Sequence, residues 1–236
     1  MASATILTIG NELVFGDVPN TNASWLANQL APLGVFVRLL AAVPDDMDQI
    51  ADFVRVEAAR SDFLLVTGGL GGTPDDITRE SIALAFRLPQ VEIAELADDL
   101  RARFTRAPEY AARWAQLPAG SRPLANPLGG APGFVVENVY VFPGLPTEME
   151  AMFGEIADEF RSGRPIGTWR RAFRTRESTI SPLLIEALNR HPGVLVGSYP
   201  SFQGDPQVEI VVKSSDADQL AAAVAWLEPE LERLAG

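Results

Sequence analysis

A glycine-rich segment that ends in two adjacent aspartates is the part of the chain best suited to chemistry. It reads Thr67-Gly68-Gly69-Leu70-Gly71-Gly72-Thr73-Pro74-Asp75-Asp76, and we call it the glycine loop. Closely spaced glycines let backbone N–H groups approach a phosphate, and a helix directly after the loop would add a partial positive charge of roughly half a unit. The predicted phosphate-binding residues of this loop are Thr67, Gly68, Gly69, Gly71, Gly72 and Thr73.

The same residues are also typical of a plain turn between a strand and a helix. In that interpretation Thr73 is the N-cap, Pro74 takes the first helical position, and Asp75 and Asp76 complement the helix dipole. The two acids would, however, repel the anion that the glycines attract. A divalent cation held by carboxylates and phosphate oxygens together removes that conflict. We therefore predict Asp75 and Asp76 as catalytic metal ligands for Mg²⁺, Mn²⁺ or Co²⁺.

Two further polar loops follow strand-like segments. Glu12 comes soon after the first apolar run and is a candidate third metal ligand or general base. Pro143 and Gly144 open the segment Pro143-Gly144-Leu145-Pro146, where the prolines fix the backbone direction and the glycine leaves room for a ligand. A rigid turn with Pro146 at the start of a helix fits that segment equally well. Parallel sheets bind ligands in the crevice beyond the strand ends, so both loops are candidate binding segments.

The remaining candidates have simpler structural interpretations. The cluster Asn20-Thr21-Asn22 is predicted to cap a helix, while Asp17 stays open between capping and binding. His191, the only histidine, lies in His-Pro-Gly and is predicted to be a turn residue, which argues against a Ser-His-Asp hydrolase or a multi-histidine metal site. Residues 197–202 could stack on a planar ring, but aromatic residues in a small domain usually pack its core.

Alternating strand-like and helix-like segments must position these loops. Apolar runs at residues 5–9, 35–43 and 63–66 alternate with amphipathic helical patterns, which indicates parallel strands joined by crossover helices. A helix is predicted after the glycine loop. Residues 91–117 are predicted to be helical and residues 118–133 to be an extended connection. Glu137-Asn138 is predicted as a hairpin turn, and a helix carrying Met149 and Phe153 follows the Pro143 loop.

A segment rich in helix and strand breakers, residues 162–167, predicts a domain boundary. The interpretation is an α/β domain over residues 1–163 and a small α+β domain over residues 164–236. In the small domain, a strand-like stretch begins at Ala172 and Phe173, and residues 208–212 alternate as a strand. Helices are predicted around residues 180–188 and 220–234.

Composition removes several classes of protein. The formal net charge of −12 opposes the cation-rich surface that nucleic acids require, so neither DNA nor RNA is an expected partner. Without cysteine there is no thiolate zinc site, iron–sulfur cluster or cysteine nucleophile. No stretch approaches the roughly 20 apolar residues of a membrane helix, and the first residues lack the zones of a signal peptide. We expect no membrane association and a cytoplasmic location.

Three motifs together resemble the molybdopterin-binding domain family. They are Gly10-Asn11-Glu12-Leu13 with Asn20-Thr21-Asn22, the glycine loop with Ile77-Thr78, and Val139-Tyr140-Val141-Phe142-Pro143-Gly144-Leu145-Pro146. The similarity is greatest to the amino-terminal domain of CinA-like competence/damage-inducible proteins and to the related domain of eukaryotic FAD synthase. Gly197-Ser198-Tyr199-Pro200 resembles the FAD-synthase version in particular.

The resemblance implies a three-layer α/β fold with a mostly parallel sheet, and a homodimer. For the CinA-like branch it implies metal-dependent hydrolysis of ADP-ribose or FAD at the pyrophosphate, and for the pterin branch the binding or adenylylation of a pterin phosphate. Asp76 matches the aspartate of the pterin branch, and Asp75 is the additional acid of the CinA-like version. The chain departs from the family at Asn11 and Asn20, where aspartate is usual, and at Gly72, where proline is usual.

The leading hypothesis is therefore a metal-dependent nucleotide pyrophosphatase that cleaves ADP-ribose- or FAD-type diphosphates. One alternative is molybdopterin binding or adenylylation in molybdenum-cofactor metabolism. The other is a non-catalytic module that binds a nucleotide or pterin phosphate.

Overall fold

The computed structural model describes residues 2–201 and 207–235. The chain divides into two compact units, the first made of residues 1–31 and 35–162 and the second of residues 32–34 and 163–236. Each unit has its own sheet and its own buried core.

The first unit is built on a six-stranded sheet. Its strands are β1 (Ala2–Ile9), β2 (Val35–Val43), β3 (Phe63–Thr67), β6 (Arg122–Leu124), β7 (Gly133–Val136) and β8 (Val139–Phe142). They lie in the order β2-β1-β3-β8-β7-β6, where the first four run parallel and β7 and β6 are antiparallel additions at one side. This mostly parallel sheet and the hairpin turn at Glu137-Asn138 confirm the prediction.

Helices cover both faces of this sheet. They are α1 (Asn11–Val14), α2 (Thr21–Leu30), α3 (Met47–Ala58), α4 (Thr78–Phe86) and α7 (Pro146–Ile156), with 3₁₀ turns at Ala31–Leu33 and Ala157–Phe160. One face packs Leu7, Val66 and Val141 against Ile50 of α3 and Ile82 of α4. On α2 and α7, Trp25 and Phe153 meet edge to face with ring centroids 5.5 Å apart. The architecture is the predicted three-layer α/β fold.

The prediction for residues 91–117 was only half right. The structure has α5 (Ala94–Arg103), α6 (Pro108–Ala112) and a 3₁₀ turn at Arg113–Ala115, but they are flanked by two short strands, β4 (Gln90–Glu92) and β5 (Gln116–Pro118), which pair antiparallel. The predicted extended connection also contains β6, which joins the main sheet. Strands of three residues are too short to show a period of two in the sequence.

The second unit is a small α+β domain. Its strands β9 (Gly167–Phe173), β10 (Leu195–Ser201) and β11 (Gln207–Ser214) form an antiparallel sheet in the order β10-β11-β9, packed against α8 (Glu177–Arg190) and α9 (Ala217–Ala235). Ala172 and Phe173 end β9, whereas the sequence suggested that they begin a strand. Within the predicted aromatic segment Tyr199 lies on β10 and is exposed, and Phe202 lies outside the described residues. In the part of the chain that the structure describes, no helix is long and apolar enough to cross a membrane.

Candidate functional site

The carboxyl ends of the parallel strands bring four loops to one edge of the sheet. β1 and β2 end side by side, since Ile9 pairs with Val43, and β3 lies between β1 and β8, since Thr67 is in register with both Thr8 and Phe142. The order β2-β1-β3 places a change of crossover direction between β1 and β3, and ligands of open α/β sheets bind beyond the strands at such a point.

A cleft of about 350 Å³ lies beyond these strand ends. Its walls combine residues from the segment after β1, from the start of the glycine loop and from the loop after β8. Among them are Glu12, Asn20, Asn22, Thr67, Gly68 and Gly144. The structure thus brings Glu12 and Gly144 together with the start of the glycine loop. Pro143 is buried behind the cleft, where its carbonyl accepts a hydrogen bond from Thr67 Oγ1 at 2.7 Å, and Pro146 occupies the first position of α7.

Asn20 and Asn22 have different roles although they are only two residues apart. Asn20 is the predicted N-cap, because its side chain accepts from the Ala23 N–H at 3.1 Å. Asn22 instead donates to Thr67 Oγ1 at 3.1 Å and to the Gly144 carbonyl at 2.9 Å, so it links α2 to two strand-end loops. Its own Oδ1 is buried and has no hydrogen-bond partner among the described residues. The prediction of a single capping cluster is wrong for Asn22.

Glycine is required where the glycine loop leaves β3. Gly68 has φ of +111°, and a Cβ there would lie 2.2 Å from the Ile9 carbonyl oxygen. A Cβ on Gly144 would lie 3.3 Å from the Gly68 Cα atom. The packing therefore leaves no room for a side chain at Gly68, whereas a side chain at Gly144 would have to push the two loops slightly apart.

The glycine loop does not lead directly into a helix. Both sequence interpretations are therefore wrong on this point, since one placed a helix directly after the loop and the other began it at Thr73 and Pro74. Thr73 and Pro74 lie in a turn, and α4 begins only at Thr78. The carboxylate of Asp76 explains the delay: Oδ1 accepts from the Gly71 N–H at 2.8 Å, and Oδ2 accepts from the Thr73 N–H at 2.7 Å and from Thr73 Oγ1 at 2.6 Å. Asp76 folds the loop back on itself. Among the described residues, the N–H groups of Gly69 and Gly72 hydrogen-bond to no protein acceptor.

Arg79 supports the glycine loop through hydrogen bonds to its carbonyl groups, a role that the sequence did not reveal. Its side chain is 5% exposed and donates to the Leu70 carbonyl at 2.7 Å and to the Gly71 carbonyl at 3.0 Å. Trp114 Nε1 also donates to the Gly71 carbonyl, at 3.1 Å. Three hydrogen bonds from these two side chains therefore hold the carbonyl groups of Leu70 and Gly71. A buried arginine can form both bonds at once because its planar guanidinium presents several donors.

Asp45, which follows β2, is a second residue missed by sequence reasoning. Its Oδ2 accepts from the Asn11 N–H at 2.9 Å. Burial raises the pKa of Asp45, the hydrogen bond from Asn11 lowers it, and the negative charges of Asp75, Glu12 and Asp76 raise it, so that the pKa lies above its usual value. The charges of three acids from two other loops therefore act on Asp45. Asp75, the more exposed acid of the pair on the glycine loop, shares the single hydroxyl proton of Thr73 with Asp76, and this hydrogen bond lowers the pKa of Asp75.

These acids do not form a ready-made metal cage. Within the described ranges, no group of three or more His, Cys, Asp or Glu side chains is close enough to hold a metal ion. The donors are nevertheless all oxygens, which suit Mg²⁺ and Mn²⁺. Magnesium in phosphate-handling sites is commonly held by one or two carboxylates with phosphate oxygens and water completing its shell. The residues present fit that kind of site, and their mutual repulsion is what a cation would relieve.

Comparisons with known proteins cover both units. Residues 5–162 match the family model described as "Probable molybdopterin binding domain", and residues 172–235 match the model of the "FAD synthase, middle domain". A protein of Archaeoglobus fulgidus is 38% identical over 225 residues, which is 94% of this chain and 95% of that protein. A CinA-like protein of Frankia casuarinae is 35% identical over 95% of this chain, which spans only 57% of that protein's length.

A solved structure supports the fold of the first unit. The crystal structure of the protein CinA, of unknown function, from Thermoplasma acidophilum matches with a TM-score of 0.64 and 33% identity, covering 68% of this chain and 99% of that one. The resemblance suggested by the three sequence motifs is confirmed. By its match over residues 5–162, the chain belongs to the molybdopterin-binding domain family, in the company of CinA-like proteins.

Proposed function

We propose that the chain is a divalent-metal-dependent hydrolase of nucleotide diphosphates of the ADP-ribose or FAD type. The observation that carries the proposal is that the negative charges of Asp75, Glu12 and Asp76 all raise the pKa of Asp45, at strand ends where Glu12 and Gly68 line one cleft. A site for a simple anion has no use for several carboxylates. A site for a diphosphate and a cation needs both.

Each part of the site has a task in this reaction. One or two of the carboxylates of Asp75 and Asp45 would hold the cation together with phosphate oxygens, while Asp76 keeps the loop in shape. The N–H groups of Gly69 and Gly72 donate to the diphosphate. Bound there, the cation neutralises phosphate charge and lowers the pKa of water. Glu12, which is exposed at the cleft, is placed to accept the proton of the attacking water.

The two asparagines at usual aspartate positions do not argue against catalysis. Asn20 uses both ends of its amide, since Nδ2 donates to Thr8 Oγ1 at 2.7 Å while Oδ1 caps α2. Asn11 pairs with Asp45 through its backbone N–H and its Oδ1. Asn20 therefore helps to shape the cleft, Asn11 holds Asp45 in place, and Glu12 remains as an acid in the wall of the cleft.

Product analysis tests the proposal. The protein is incubated with ADP-ribose or FAD and with Mg²⁺, Mn²⁺ or Co²⁺, and the products are separated by chromatography. We expect two monophosphates per substrate, no product with EDTA, and a loss of at least about 100-fold in kcat/KM for Asp75→Asn. Asp48→Asn, on the exposed first turn of α3, is the matched control and should keep the full rate.

The family match favours a second candidate function, the binding or adenylylation of a pterin phosphate. The same cleft and glycine loop would hold the pterin phosphate. Incubation with ATP and molybdopterin gives an adenylylated pterin and pyrophosphate if this function is correct, and no cleavage of ADP-ribose. Tight nucleotide binding without any product would instead support a non-catalytic module.

A further inference from the structure

The two edges of the six-stranded sheet are built very differently. At one edge lies β6, which has only three residues, and two of them are Arg122 and Pro123. Short edge strands, charged side chains and prolines are devices by which proteins prevent other chains from pairing with a sheet. At the other edge lies β2, which has nine residues. In the second unit, the edge strand β9 carries Arg170 and Arg171, and the edge strand β10 contains Pro200.

The C-terminal part of β2 has none of these devices. The only charged residue of the strand is Arg38, which is the extra residue of a β-bulge and whose guanidinium is bound to Glu57. Beyond the bulge, residues 39–43 read Leu-Leu-Ala-Ala-Val and keep a regular register with β1. We call residues 39–43 the open edge. A long, regular and apolar edge of this kind is a template for pairing with another strand.

Two residues of the open edge have backbone groups that no strand of this chain uses. The Val43 carbonyl accepts from the Gly10 N–H, directly after β1, at 3.1 Å, so the backbone groups of Val43 and of Ala41, two residues earlier, point toward β1. Because successive residues of a strand alternate in this direction, the N–H and C=O groups of Leu40 and Ala42 point away from β1. Among the described residues these groups have no hydrogen-bond partner. Leu40 and Ala42 are both exposed, so a second strand can reach them.

The open edge is complementary to itself. If two copies pair antiparallel about a two-fold axis at Ala41, Leu40 of each copy lies opposite Ala42 of the other, and these pairs exchange N–H···O=C hydrogen bonds. The two Ala41 residues then form the closely spaced pair without hydrogen bonds, at a Cα separation of about 4.5 Å. Their small side chains allow that approach. A symmetric pair therefore satisfies every outward-pointing backbone group of Leu40 and Ala42.

The distribution of charge favours the same arrangement. Asp45, Asp46 and Asp48 follow the open edge, whereas no acid lies on β2 itself, and Arg38 precedes the open edge. Antiparallel pairing places the acidic end of one copy beside the acid-free end of the other. Parallel pairing would instead place both acidic ends side by side, in a chain whose net charge is already −12.

We propose that β2 is the interface between two copies of this chain, which join edge to edge into one continuous sheet. This interface needs neither the cation nor the cleft, so it stands or falls independently of the proposed hydrolysis. Sedimentation measures the mass of the whole chain in solution. The wild type should form a dimer with a Kd of about 10 µM or tighter.

Hydrogen exchange, resolved residue by residue by fragmentation mass spectrometry, shows which surface the dimer uses. The amides of Leu40 and Ala42 should exchange about 5-fold more slowly at about 200 µM protein than at about 2 µM, because only the free copy exposes them. The amides of Ala41 and Val43 point toward β1 and are the internal control. Their exchange should be the same at both concentrations.

Two variants disrupt the open edge in different ways. Leu40→Lys places a charge in the interface twice, once from each copy, and should weaken association by at least about 10-fold. Ala42→Pro removes an outward-pointing N–H that the pairing with β1 does not use, and it should also weaken association. Leu84→Lys is the matched control, because Leu84 is a similarly exposed leucine on α4. It should associate as the wild type does.

Three results would overturn the proposal. One is a wild type that sediments as a monomer at about 200 µM. Another is a dimer whose Leu40 and Ala42 amides exchange equally fast at both concentrations, since that dimer uses another surface. The third is equal association by Leu40→Lys and Leu84→Lys. Melting temperatures at about 2 µM separate lost association from lost folding, and Leu40→Lys carries the test if Ala42→Pro does not fold.

Discussion

Replacing Asp76 should reduce both stability and activity, whereas replacing its neighbour Asp75 should reduce activity alone. The Asp76 carboxylate accepts from the N–H groups of Gly71 and Thr73, at 2.8 Å and 2.7 Å, and from the Thr73 hydroxyl at 2.6 Å. In Asp76→Asn one carboxylate oxygen becomes an NH₂ group that faces a donor. Asp75 is exposed; among the described residues it accepts from its own backbone and shares the Thr73 hydroxyl proton with Asp76.

The size of the Asp76→Asn effect follows from these bonds. A hydrogen bond to a charged group contributes about 1.5–3 kcal/mol, and partial exposure of Asp76 reduces the loss to about 1–2 kcal/mol. For a domain of this size each kcal/mol corresponds to about 2–4 °C in melting temperature. We therefore expect Asp76→Asn to melt roughly 2–8 °C below the wild type. Asp75→Asn should melt at the wild-type temperature.

The assay pairs thermal unfolding without metal with initial rates of ADP-ribose cleavage in Mg²⁺. Both variants should lose activity, and only Asp76→Asn should lose stability. If Asp76→Asn melts at the wild-type temperature, the hydrogen bonds to the Asp76 carboxylate do not stabilise the fold as proposed. If Asp75→Asn keeps its rate and its metal requirement, the assignment of the metal to Asp75 is refuted.

Three further predictions test other parts of the structure. Gly68→Ala should cost about 2–4 kcal/mol in urea unfolding, because its Cβ would meet the Ile9 carbonyl at 2.2 Å, whereas Gly16→Ala, with φ of +78° and open space, should cost only about 1 kcal/mol; equal losses would contradict the close packing at Gly68. Burial alone would raise the pKa of Glu57, but hydrogen bonds from Arg38 and Thr5 and the charges of Arg38 and Arg60 outweigh it and lower that pKa. Its stabilisation is therefore complete above its unfolded value of about 4.5 and is lost as pH falls through the lower folded value, so Glu57→Gln should be less stable at pH 7 and lose less stability on acidification; parallel stability curves would contradict this. The pKa of Asp45 is raised by burial first and by neighbouring negative charges second, so its charge destabilises the metal-free fold at neutral pH; Asp45→Asn should therefore raise the metal-free melting temperature at pH 7, lose that gain near pH 3 and bind Mn²⁺ more weakly by calorimetry, and unchanged stability and affinity would contradict this.

The sequence was sufficient for the strands β1, β2 and β3 and for the loops that follow them, because long apolar runs and breaker residues have local signals. Residues 35–43 were predicted as a strand and form β2. Gly68 and Gly69 could be assigned to a tight loop from their spacing alone, and both have positive φ.

The contacts that fix the candidate site have no such signal. The Thr73-Pro74 pair is a good helix start, but the Asp76 carboxylate takes the Gly71 and Thr73 N–H groups and moves the helix start to Thr78. The amphipathic pattern of α4 does not distinguish Arg79 from a surface arginine, although its guanidinium is buried under the loop. Asp45 joins the other acids only because β2 ends beside β1. Such roles depend on which strands become neighbours, and one sequence does not encode that locally.

The most direct test of the central claim is the rate of monophosphate formation from ADP-ribose as a function of Mn²⁺ concentration. If the carboxylates and the glycine loop together form a metal-dependent diphosphate site, the rate rises from zero to a plateau as the Mn²⁺ concentration increases. The products are then two monophosphates in equal amounts. Glu12→Gln then lowers the plateau, and Asp75→Asn shifts the curve to higher Mn²⁺. A substrate that binds to the wild-type protein but is not cleaved at any concentration of Mn²⁺, Mg²⁺ or Co²⁺ would contradict the account.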